Sequence, residues 1–68
     1  MERHEFLKLY DKAVDLKVAL ERAPEHRKKD LQTDLNLLVE KMARGNQAKF
    51  VKLMMIIEDT YKIIERGH

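Results

Sequence analysis

The chain has no cysteine, no tryptophan and no serine, and only one proline and two glycines among its 68 residues. Without cysteine there is neither a disulfide framework nor a thiolate metal site. Without serine or cysteine, the nucleophile inventory shrinks to Thr33, Thr60, Tyr10 and Tyr61. None of these is placed beside a histidine by sequence, which argues against covalent catalysis. The two isolated glycines, Gly45 and Gly67, cannot build a phosphate-cradling loop. Long apolar runs are also missing. The longest, Leu53 to Ile57, falls far short of the roughly 20 residues a membrane span requires. The opening Met1-Glu2-Arg3-His4-Glu5 has no apolar stretch behind it, so no secretory leader is expected, and neither end carries a lipidation signal. A cytoplasmic location is the default expectation. A large excess of one charge is absent too: 14 Lys and Arg face 12 Asp and Glu, for a net charge of +2.

What remains is a chain 44% hydrophobic and 38% charged, too apolar and too patterned for a disordered tail. Its length allows one domain, residues 1–68. Few Gly and Pro among many Leu, Lys, Glu, Ala and Met point to helices joined by short turns. Two places interrupt the helical pattern. At Ala23-Pro24, the proline restricts the preceding residue and suits the first position of a new helix, with Glu25 at its positive end. At Arg44-Gly45-Asn46, the glycine suits a left-handed C′ position and the asparagine an N-cap. The spacing therefore predicts an all-α chain with helices at about 3–22, 25–44 and 47–66. An alternative start at Asp30 would leave 23–29 as a loop.

Helical phase says more than the boundaries. In the first helix, Phe6, Leu9, Ala13, Leu16 and Leu20 share one line, and Leu7, Val14 and Val18 form a second beside it. Lys17 falls between them, where its stem can lie on the surface while its ammonium reaches water. The second helix has one stripe, Leu31, Leu35, Leu38 and Met42, flanked by Val39 and Ala43, with Leu37 alone on the far side. The third carries Phe50, Met54, Ile57, Tyr61 and Ile64 on one line and Leu53, Ile56 and Ile63 on another. Val51 and Met55 lie on what should be its wet face. The run 49–57 also suits a strand, but the Glu58–Lys62 pair at i,i+4 and the continuation through Tyr61 and Ile64 favour helix.

The second helix thus needs one partner, whereas the first and third are apolar around half their circumference. A lone three-helix bundle of this size has little use for doubly apolar helices. The surplus predicts a contiguous exposed patch and self-association, most simply as a two-fold homodimer. Leu7, Val14, Val18, Leu53, Ile56 and Ile63 are the expected seam, and Leu37, Val51 and Met55 the expected partner-facing residues.

Other constellations favour bland readings. Asp11 with Asp15, and Asp30 with Asp34, share helix faces, but lysines and arginines surround both pairs, as on solvated surfaces. His4, His26 and His68 do not pair at ligand spacing, and no metal or other cofactor is expected. The polar faces mix both signs, unlike a membrane-surface helix. One basic segment rises above background: Arg22, His26, Arg27, Lys28 and Lys29 fall within eight residues. On a helix they diverge among interleaved acids; in a loop they could converge on phosphates. The leading expectation is a non-enzymatic helical module that binds itself and another protein as a regulator, adaptor or inhibitor. Binding of DNA or RNA through the 22–29 segment is the alternative.

Overall fold

The computed structural model describes residues 2–67 and consists of three α-helices: α1 (Arg3–Arg22), α2 (Glu25–Ala43) and α3 (Gln47–Arg66). The 49–57 segment is helical throughout. Each break works through the local chemistry expected of it, with a shift of one position at each. Ala23 is extended, as the residue before a proline tends to be, and its N–H donates to the Leu20 carbonyl at 3.3 Å. Pro24 is the N-cap of α2 rather than its first helical residue, and its carbonyl accepts from the N–H groups of Arg27 and Lys28. Residues 25–29 are helical, so no loop gathers the basic segment.

The second turn departs from expectation by one residue. α2 ends at Ala43, because Arg44 itself enters the left-handed region at φ 55°, ψ 42°. Gly45 follows at φ 81°. The turn closes through Arg44 N–H to the Glu40 carbonyl at 2.9 Å and Asn46 N–H to the Ala43 carbonyl at 3.1 Å. The Asn46 side chain then accepts from the Lys49 N–H at 3.1 Å and so caps α3.

The three helices pack on one another in a particle about 32 × 27 × 19 Å. The chain runs up, down and up, so the starts of α1 and α3 flank the end of α2. The core is thin. Eight hydrophobic residues are buried, and three of them are mere Ala or Val additions around Leu20, Leu35, Val39, Met42 and Ile57. Half-buried Phe6, Leu9, Leu16, Leu31, Phe50 and Met54 pack around this centre. No polar residue is buried among the described residues. The fold thus defines a small all-α helical bundle, and no described helix is long and apolar enough to cross a membrane.

Candidate interaction surface

The residues expected to face a partner divide in two. Leu7, Leu37, Val51, Met55, Ile56 and Ile63 are exposed, and they are all of the large exposed hydrophobics among the described residues. Val14 is only 8% exposed, and Val18 and Leu53 are half-buried. Val14 lies one turn from both Tyr10 and Lys17, whose side chains reach α3, and that flank of α1 is covered within the monomer. The expected second stripe of α1 therefore shrinks to Leu7 at its start.

The exposed residues lie on more than one flank of the bundle. On α3, Val51 and Met55 stand one turn apart on one flank. Ile56 and Ile63 stand two turns apart on another, about 80–140° around the helix. Leu37 borders a separate hollow of about 640 Å³ where the end of α2 meets Gln47 and Phe50 of α3.

The α1–α3 seam is polar at its edge. The Lys17 ammonium donates to Glu21 and to Glu58, each at 2.7 Å, and sits 5.7 Å from the centre of the Tyr61 ring. It is not free in water, as its phase alone would allow; its side chain is 13% exposed. Burial pulls the Lys17 pKa down, but the hydrogen bonds to Glu21 and Glu58 outweigh it and hold the pKa above the ordinary lysine value. The hydrogen bond from Lys17 holds Glu21 below the usual carboxylate range. This arrangement links α1 to α3 through Glu58 at the edge of their seam.

The basic segment at 22–29 does not converge. The Arg22 guanidinium lies 3.5 Å from Glu65, and Lys28 lies 3.8 Å from Glu25. His26, Arg27 and Lys29 are exposed on successive directions of the first turns of α2. His4 is within 3.4 Å of Glu2, and His68 lies outside the described residues. Among the described residues, no three His, Asp or Glu side chains gather as a metal site would need.

The structure gathers a different set of cations, at the opposite end of the bundle. Arg3, Arg44, Lys49 and Lys52 surround a cleft of about 570 Å³. Its apolar lining is Phe6, Met42, Leu53 and Ile56. In sequence Arg44 and Lys49 merely flank the turn between α2 and α3. Arg3 and Lys52 join them through the return of α3 beside the start of α1, which no local pattern signals.

Comparison with known protein families, with curated proteins and with solved structures finds no match for this chain.

Proposed function

We propose that the chain is a non-enzymatic, cytoplasmic protein-interaction module that acts as a homo-oligomer, most simply a dimer, in the role of regulator, adaptor or inhibitor. The observation that carries this reading is α3 itself, which exposes Val51, Met55, Ile56 and Ile63 at 40–69% on two flanks. Scattered single apolar residues are ordinary on a surface. Four on one 20-residue helix, beside so thin a core, are what a helix with a second partner looks like. Sedimentation equilibrium from low to high micromolar concentration tests it. Wild type is expected to associate, and Met55→Glu with Ile63→Glu to be a folded monomer. A wild-type chain that stays monomeric across that range would overturn the oligomer.

Nucleic-acid binding through Arg22, His26, Arg27, Lys28 and Lys29 has the weaker support. Two of the five have a carboxylate within 4 Å, and the others diverge.

A further inference from the structure

We propose that the cleft at the α1-start, α2-end corner is a docking site for an acidic amphipathic helix of a partner protein. The inference rests on the reading of the chain as a protein-interaction module and supplies the chemistry of one partner.

Charge is the first argument. The rim carries four cations and the lining no carboxylate. Among the described residues, none of the four lies within 4 Å of an acidic group. Acids are close in sequence, namely Glu2 just before α1, Glu5 in its first turn, Glu40 on α2 and Asp59 on α3, yet none lines the cleft.

Placement is the second. Two of the four cations stand where a helix dipole disfavours them, and a third holds a costly backbone conformation. Arg3 is the first residue of α1, and Lys49 lies in the first turn of α3, which contains no acid. Both stand at the positive end of a helix dipole, where an anion is favoured and a cation is not. Arg44 occupies a left-handed backbone position in addition to Gly45, and unlike the glycine it bears a side chain that makes that conformation costly. Local rules broken together at one spot mark a function more often than a fold requirement.

The lining identifies the occupant. Phe6, Met42, Leu53 and Ile56 offer an apolar floor that takes one or two large side chains, and methionine adapts to varied shapes. A phosphate backbone has nothing apolar to set there. Base stacking needs an open aromatic face, whereas the cleft's one aromatic, Phe6, is half-buried in the floor. A bilayer meets apolar groups that protrude, whereas Phe6 and Leu53 are half-buried and Met42 is buried. An acidic amphipathic helix carries carboxylates and large apolar groups at i, i+3, i+4 and i+7 on one surface, which matches a cationic rim around an apolar floor.

The test uses a fluorescein-labelled, helix-forming peptide with leucine and phenylalanine on one face and glutamate elsewhere. Its lysine-for-glutamate counterpart, a single-stranded oligonucleotide and phosphatidylserine vesicles are measured alongside. The glutamate peptide is expected to bind, more weakly as salt rises, and the lysine peptide not to bind. Backbone amide shifts should concentrate at Arg3, Phe6, Arg44, Lys49, Lys52 and Ile56. Arg44→Glu with Lys49→Glu should weaken the peptide at least tenfold with an unchanged helical spectrum, and Ile56→Ala should weaken it severalfold. No binding of the glutamate peptide, equal affinity for the double variant, or tighter binding of oligonucleotide or vesicles would each overturn the proposal. Sedimentation of the wild type in parallel separates the two readings. Self-association without peptide binding fails the cleft alone; peptide binding by a strict monomer fails the oligomer alone.

Discussion

The Tyr10 hydroxyl lies 2.6 Å from Thr60 Oγ1, fifty residues away in sequence. Thr60 has one hydroxyl proton, and it is directed at the Ile56 carbonyl of its own helix at 2.9 Å. Tyr10 is therefore the donor, and α1 is fastened to α3 by a bond whose polarity α3 dictates. Tyr10→Phe removes that donor while Thr60 keeps its own. The expected cost is about 1 kcal/mol, read from the midpoint of urea unfolding at unchanged slope.

Lys17 holds α1 to α3 in another way, by charge. Lys17→Met keeps the length of the stem and removes the ammonium. Glu21 and Glu58 are open enough to be rehydrated, at 36% and 43% exposed. Stability at neutral pH should change by no more than about 1 kcal/mol. The pH profile should change more visibly. Glu21 is held below its ordinary pKa when folded, so its contribution is present above about pH 4.3 and is lost as pH falls through the lower folded value. Thermal unfolding of the variant between about pH 3 and 5 should show a shallower acid limb than wild type.

Leu35 is fully buried at the centre of the core. Leu35→Ala should cost about 2–5 kcal/mol. A bundle of this size has only about 3–5 kcal/mol to lose. The variant should be largely unfolded at low micromolar concentration by circular dichroism. Recovery of helix at high concentration would show that association contributes to stability, as mass action requires.

Arg44→Gly should act in opposite directions on stability and on binding. It relieves a left-handed side-chain position worth about 1–2 kcal/mol, offset in part by the greater freedom of glycine in the unfolded chain. A net gain of about 0.5–1 kcal/mol is expected in chemical denaturation. The same variant should bind the acidic peptide more weakly.

Much of the fold was legible because its signals are local. The Pro24 and Asn46 breaks are short-range chemistry, and the helix limits follow from them. The end of α2 moved by one residue because both Arg44 and Gly45 take positive φ, a choice that sequence preference would assign to the glycine alone. Exposure was legible where a residue stands opposite the core line, as with Leu37 and Met55. It was not legible at Val14, whose phase resembles that of Leu7; only the crossing of α3 over that part of α1 tells them apart. The cationic cleft was the least visible, since its parts come from residues 3, 44, 49 and 52 and meet only when three helix ends do.

The two connections, Ala23-Pro24 and Arg44-Gly45-Asn46, are at the short end of what helix hairpins use. Neighbouring helices therefore find each other with little search, and chains of such low contact order fold in microseconds to milliseconds. A newly made chain then spends almost no time as a partly ordered species. Val51, Met55, Ile56 and Ile63 then spend little time in any arrangement other than the spacing that the finished α3 gives them.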